Sequence, residues 1–183
     1  MGINVTFADD DEMVRAAVAG DAAAFEVLLA PLLEPAFKLA ALLLHDHAEA
    51  EDAVQEAAVR AWRRITQLRG DRGRLRAWFL SIVANQCKSM RRRPWWQVIK
   101  VPEVMSQGPS AEDLATRDLD LRRAVERLDR DDQFALFTFF YLDLPLEDAA
   151  RVMGVPLSSA KSRIYRAVRR LRKDATLEEV LRG

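Results

Sequence analysis

One late stretch, PLEDAARVMGVPLSSAKSRIYRAVRRLRK, runs from Pro145 to Lys173 and carries no carboxylate from Ser158 onward. Read at helical spacing, Leu157, Ala160, Ile164, Val168 and Leu171 fall on one side, and Ser158, Lys161, Ser162, Tyr165, Arg166 and Arg169 on the other. The second set offers hydroxyl and cationic donors for phosphates and base edges, and a helix of this kind fits the major groove of duplex DNA. Carboxylates there would repel a polyanion. A solvated basic helix end, favoured by the helix dipole, would carry the same charge run. The residues just upstream favour the nucleic-acid reading: Pro145 sits where a helix start tolerates a missing amide, and Ala150 and Gly154 are small where two helices must turn sharply and pack close.

A second basic region runs from Arg60 to Lys100. Arg63, Arg64, Arg69, Arg72, Arg74, Arg76, Lys88, Arg91, Arg92, Arg93 and Lys100 are opposed there only by Asp71, and Trp62, Trp78, Phe79, Trp95 and Trp96 are interleaved. Basic residues with stacking side chains suit unpaired bases as well as duplex backbone. Trp62 and Trp78 lie on apolar helical faces, which favours the core for both. His45 and His47 in HDHAEAED could ligate a metal with nearby carboxylates, but no third ligand converges on them and the segment reads as a surface turn. Cys87, near Asn85 and with no His close in sequence, reads as a small buried residue. No catalytic residue, cofactor or metal site is expected, and an enzyme is the weakest reading.

The elements that must position these residues are helical. Of the 183 residues 50% are hydrophobic and 31% charged, a globular composition, and with 7 glycines and 7 prolines there are too few turn signals for many short strands. The 28 basic and 28 acidic residues cancel, so charge distribution rather than balance points to partners. A single cysteine excludes an intramolecular disulfide and fits a reducing cytoplasm. Ala22 to Leu44 is interrupted by Glu26, Pro31, Glu34, Pro35 and Lys38, so no membrane insertion is expected, and the acidic N-terminus is not expected to serve as a secretion signal.

A first helix is expected over Asp11 to Ala19, stopped at Gly20. Asp21 caps the next, with Phe25, Leu28, Leu29, Leu32 and Leu33 on one face and a kink or break at Pro31 or Pro35. Asp46 and Glu49 have capping-box spacing, and the helix they open runs through Arg64 with Val54, Ala57, Ala58, Ala61 and Trp62 on one side. Glu51, Asp52, Gln55, Glu56 and Arg60 form a polar, mostly acidic stripe beside it. LRGDRGR reads as a loop, followed by a helix whose apolar side includes Trp78, Phe79, Ile82 and Val83. The period lapses from Pro94 to about Thr116, a linker. Beyond it come a helix with Leu121, Ala124, Val125 and Leu128 as its core face, the phenylalanine-rich DDQFALFTFFYL, and the closing helix pair.

The order AEDAVQEAAVRAW, RGDRGRLRAWFLSIVANQCKSMRRR, GVPLSSAKSRIYRAVRRLRK resembles the extracytoplasmic-function (ECF) sigma factors of bacteria over nearly the whole chain. The resemblance implies an all-α chain of two small helical domains: a sigma-two-like domain at 1–95 for polymerase docking and minus-ten recognition and melting, a linker at 96–117, and a sigma-four-like helix-turn-helix domain at 118–183 for minus-thirty-five recognition. It implies core RNA polymerase as partner, through its β′ clamp helices and β flap, together with promoter DNA and, commonly in the family, an anti-sigma factor. Polymerase binding falls to Glu51, Asp52, Gln55 and Glu56. The minus-ten element falls to Arg69, Arg72, Arg74, Arg76, Trp78, Asn85, Lys88 and Arg92, and the minus-thirty-five element to Ser158, Lys161, Ser162, Tyr165, Arg166 and Arg169. The chain departs from the family at Ala58, Ser89 and Ala160, at Asp143, near which a glycine is usual, and at Phe139, commonly polar, which either packs in the core or forms an exposed partner-binding patch. A free-standing helix-turn-helix regulator and a sigma-like decoy are the alternatives.

Overall fold

Asp21 and Asp46 start the two long helices of the first unit. In the computed structural model, which describes residues 7–68, 72–91, 121 and 123–173, Asp21 accepts from the amides of Ala23 at 2.9 Å and Ala24 at 3.2 Å, opening α2 (Ala22–Leu44). Asp46 accepts from the Glu49 amide at 2.9 Å and opens α3 (His47–Arg63). Each cap satisfies amides that a helix start leaves without partners. Before them lies α1 (Phe7–Val18), which begins earlier than expected and ends ahead of Gly20, held at φ 102°. After them come a 3₁₀ turn (Ile65–Gln67) and α4 (Arg72–Arg91). The chain divides into two compact units, Met1–Pro102 and Glu103–Gly183, and all regular structure among the described residues is helical.

In the first unit α2 packs against α1, α3 and α4. Its buried Phe25, Leu28, Leu39 and Leu44 meet Ala53, Ala57 and Ala61 of α3 and Leu75, Phe79, Leu80 and Val83 of α4 in one core. Each large side chain buried there contributes about 1.5–3 kcal/mol, and the α3 alanines let the neighbouring backbones come close. Trp62 is half-buried and its ring lies 5.2 Å from that of Phe25, the structural role favoured for it.

Several expectations need correction. Pro31 and Pro35 do not split α2, which runs through both. The carbonyls they leave without donors belong to Val27 and Pro31, both exposed, so water can satisfy them. Leu33 is 42% exposed and Leu32 half-buried, because the buried stripe of α2 is interrupted between Leu29 and Ala36. By length and composition α2 could cross a membrane despite its charges and prolines; ten of its residues are instead buried within the unit. The expected loop LRGDRGR is shorter, since α4 begins at Arg72. The expected linker at 96–117 lies outside the described residues.

In the second unit residues 123–126 are helical, with Ala124 buried and Val125 and Leu128 half-buried, while Leu121, expected in the core, is exposed. Gln133 ties this stretch down by donating from Nε2 to the Leu128 carbonyl at 2.9 Å and the Glu126 carbonyl at 3.2 Å. Asp129 caps α5 (Arg130–Leu136), which passes into a π turn (Phe137–Tyr141) closed by the Leu142 amide donating to the Phe137 carbonyl at 2.9 Å. Buried Thr138 donates to the Phe134 carbonyl at 2.9 Å. Asp143 takes the left-handed conformation, φ 46°, which suits the glycine usual nearby and which Asp tolerates better than most residues. α6 (Leu146–Met153) and α7 (Leu157–Arg172) follow. Phe139 is half-buried with its ring 5.0 Å from that of Phe140, which is 58% exposed, so the segment is partly core and partly surface.

Candidate nucleic-acid interface

The turn between α6 and α7 sets the direction of the basic helix. Gly154 sits at φ 67°, its amide bonds to the Arg151 carbonyl at 3.1 Å, and the Val155 amide reaches the Ala150 carbonyl at 3.1 Å. This is a Schellman stop, for which a residue without Cβ is best suited. Ala150 is buried, and α6 packs directly on α7. Ala160, Ile164 and Ala167 form the buried side of α7 with Val168 and Leu171 half-buried, whereas Leu157, expected with them, is 45% exposed in the first turn.

Ser158, Lys161, Ser162, Tyr165, Arg166 and Arg169 are all exposed, and the last five line one surface hollow of about 400 Å³. Lys161 Nζ lies 5.9 Å from the centre of the Tyr165 ring, a cation–π distance. No acidic residue stands in the first turn of α7.

Carboxylates are nevertheless present, supplied by the start of α5. Asp132, 0% exposed, accepts from Arg166 Nε at 3.0 and 3.2 Å and Arg166 Nη2 at 2.6 Å, and from Arg170 Nη1 at 2.7 Å. Asp129 also pairs with Arg170, and Asp131 lies 3.0 Å from Arg163. Donation to the Asp132 carboxylate holds the Arg166 guanidinium even further above neutrality than usual. The Asp132 amide, followed by Arg170, holds the Asp129 carboxyl below the ordinary carboxylate range. Sequence reasoning missed Asp129, Asp131, Asp132, Arg163 and Arg170. The available signal was a capping Asp followed by two acids in the first turn of a helix.

In the first unit Arg74 and Asn85 of α4 are exposed and Arg76, Trp78 and Lys88 half-buried, Arg72 opens the helix, and Arg69 and Arg92 lie outside the described residues. The first turn of α4 holds no acid, so its basic residues add to the positive end of the helix dipole. Glu51, Asp52, Gln55 and Glu56 of α3 are exposed as a stripe. Asp52, Gln55, Glu56, Val59 and Arg60 line a groove of about 430 Å³ with Gln86 and Met90 of α4, two residues that the sequence reading passed over.

His45 ends α2 in the left-handed conformation, φ 55°, and the His47 ring lies 4.7 Å from Phe37. Among the described residues no group of three His, Cys, Asp or Glu could hold a metal. Cys87 is buried, and burial pushes its thiol up to about 12.

The fold is thus a two-unit all-α protein whose second unit contains a helix-turn-helix with a basic outer face. Residues 28–97 match the Sigma-70 region 2 family and residues 118–171 the Sigma-70, region 4 family. The chain is 28% identical to the RNA polymerase sigma-H factor of Pseudomonas aeruginosa, with 97% of this chain and 98% of that protein covered. It is 30% identical to the ECF RNA polymerase sigma factor SigM of Mycobacterium tuberculosis, covering 88% and 82% respectively. Among solved structures it resembles the sigma factor RpoE in complex with the anti-sigma factor NepR from Bartonella quintana, with a TM-score of 0.67 and 26% identity over 84% of this chain and 96% of that one. The chain belongs to the ECF RNA polymerase sigma factors. As a sigma factor it binds core RNA polymerase and promoter DNA and directs promoter-specific initiation, and the free-standing regulator is not favoured.

Proposed function

We propose that α7 reads the minus-thirty-five element through Ser158, Lys161, Ser162, Tyr165, Arg166 and Arg169. In the same reading Arg69, Arg72, Arg74, Arg76, Trp78, Asn85, Lys88 and Arg92 engage the minus-ten element, and Glu51, Asp52, Gln55 and Glu56 dock on the polymerase. The corresponding division is a sigma-two-like domain at 1–95, a linker at 96–117 and a sigma-four-like domain at 118–183. The observation that carries the DNA assignment is the grouping of Lys161, Ser162, Tyr165, Arg166 and Arg169 around one hollow on a helix face free of its own carboxylates. Such a face attracts phosphate electrostatically and presents donors to base edges. The chain performs no bond chemistry itself and works in the cytoplasm with the polymerase. An anti-sigma factor holds it inactive by covering its polymerase-binding surfaces, a reading supported by the likeness to RpoE, solved with NepR.

The test is capture of bacterial core polymerase by the purified chain, followed by transcription from a library of promoter fragments. Stable capture with selective initiation is the expected result, and the selected promoters define both elements. Capture without initiation would favour a decoy. Initiation unaffected by Tyr165→Ala together with Lys161→Ala would overturn the assignment of α7.

A further inference from the structure

We infer that Gln86 receives an arginine side chain presented by the docked polymerase in the groove between α3 and α4; this rests on the reading of α3 as the docking helix. Gln86 is 4% exposed, and its Oε1 is the one buried side-chain oxygen or nitrogen among the described residues that has no hydrogen-bond partner. Of the other buried polar residues, Glu49, Asp132 and Thr138, the side chains of the last two are bonded. A buried acceptor without a donor is costly, and native folds rarely keep one. Packing does not explain it. Gln86 lies on the buried side of α4 with Val83, Cys87 and Met90, where an apolar side chain would fill the same space at no such cost.

The groove shows what would satisfy it. Asp52 and Glu56 put two carboxylates on its α3 wall, and its cation, Arg60, already lies 4.0 Å from Glu56. A cationic N–H donor is therefore complementary, whereas an anion or another acceptor is not. Arginine fits better than lysine because its planar fork can serve a carboxylate and a neighbouring carbonyl together. Val59 and Met90 supply apolar wall for the methylene stem. The terminal torsion of a glutamine is soft, so Oε1 can turn to a donor lying in the groove.

The test measures equilibrium binding of the full chain to core polymerase for Gln86→Met, which keeps length and removes the acceptor, and Gln86→Glu, which keeps an acceptor and adds charge. Thermal melts are recorded alongside. The expected result is roughly tenfold weaker polymerase binding for Gln86→Met, the scale of one charge-assisted hydrogen bond, with a melting temperature no lower than that of the parent. Gln86→Glu binds at least as tightly as the parent. Should Gln86→Met bind unchanged while Asp52→Lys binds weakly, the arginine site is wrong and the docking helix stands. If neither Gln86→Met nor Asp52→Lys has an effect, the docking reading itself fails. Tighter binding by Gln86→Met than by Gln86→Glu also overturns the proposal, because the groove would then be receiving an acceptor. If Gln86→Met is less stable, the Gln86→Glu result decides alone.

Discussion

Asp132 and Arg166 are 34 residues apart in sequence, yet the wholly shielded carboxylate of the first accepts three hydrogen bonds from the guanidinium of the second. A buried carboxylate is costly unless paired, and Arg170 adds a further bond at 2.7 Å. The pairing joins the start of α5 to the middle of α7. It uses Nε and Nη2 of Arg166, so the orientation of this arginine is set before any DNA arrives.

Asp132→Asn and Arg166→Ala are each expected to destabilise the protein by about 1–2 kcal/mol, the lower end for charged hydrogen bonds because Arg166 is half-exposed. The double variant should cost less than the sum, leaving a coupling of about 1 kcal/mol in urea unfolding followed by circular dichroism. Additive losses would mean that the pair contributes no net interaction.

Arg166→Ala should weaken binding to the preferred minus-thirty-five sequence more than binding to unrelated duplex. Asp132→Asn should reproduce part of that loss in fluorescence anisotropy, although it removes a negative charge from the second unit. Simple charge repulsion predicts the opposite sign for Asp132→Asn.

Lys161→Ala and Arg169→Ala should each reduce the slope of log affinity against log salt by about 0.9, the value for one phosphate contact. Ser162→Ala and Tyr165→Ala should leave that slope in place and narrow the preference among sequences. Anisotropy titrations at several salt concentrations separate the two groups.

Asp129 has a folded-state pKa below the ordinary carboxylate value of 3.8, chiefly through the Asp132 amide and then Arg170. A depressed carboxylate contributes stability that is complete above the unfolded pKa and is lost as pH falls through the lowered folded value. Asp129→Asn keeps a capping side chain that cannot titrate. Its melting temperature should therefore fall less steeply below about pH 4 than that of the parent, where the ordinary carboxylate begins to protonate.

Cys87 should resist alkylation at pH 8 in the folded protein. Its thiol is fully buried and raised to about 12, so almost no thiolate is present. Labelling followed by mass spectrometry should appear only as urea unfolds the first unit, and rapid labelling without urea would contradict the burial.

Much of this was legible in the sequence because it is local. The caps Asp21 and Asp46, the stop at Gly154 and the outward side of α7 follow from residue type and helical spacing. The continuity of α2 was not legible, since a proline ends a helix or not according to whether the freed carbonyl meets water, and the exposure of Val27 and Pro31 is a tertiary fact. Leu157 carries the right pattern but lies in the first turn of its helix, where periodicity continues beyond the packing partner, and Leu121 is exposed despite its pattern. The carboxylates at 129–132 were visible as a helix start, but their partners on α7 are distant in sequence and no local pattern joins them.

The union of α5 with α7 has a consequence for grafting. A cassette holding only residues 157–172 moved into a relative would arrive without the acidic ledge that aims two of its arginines. Transplanted promoter preference should require the segment from Asp129 as well, making the heritable unit of recognition the whole fold of the second helical body rather than one helix of it.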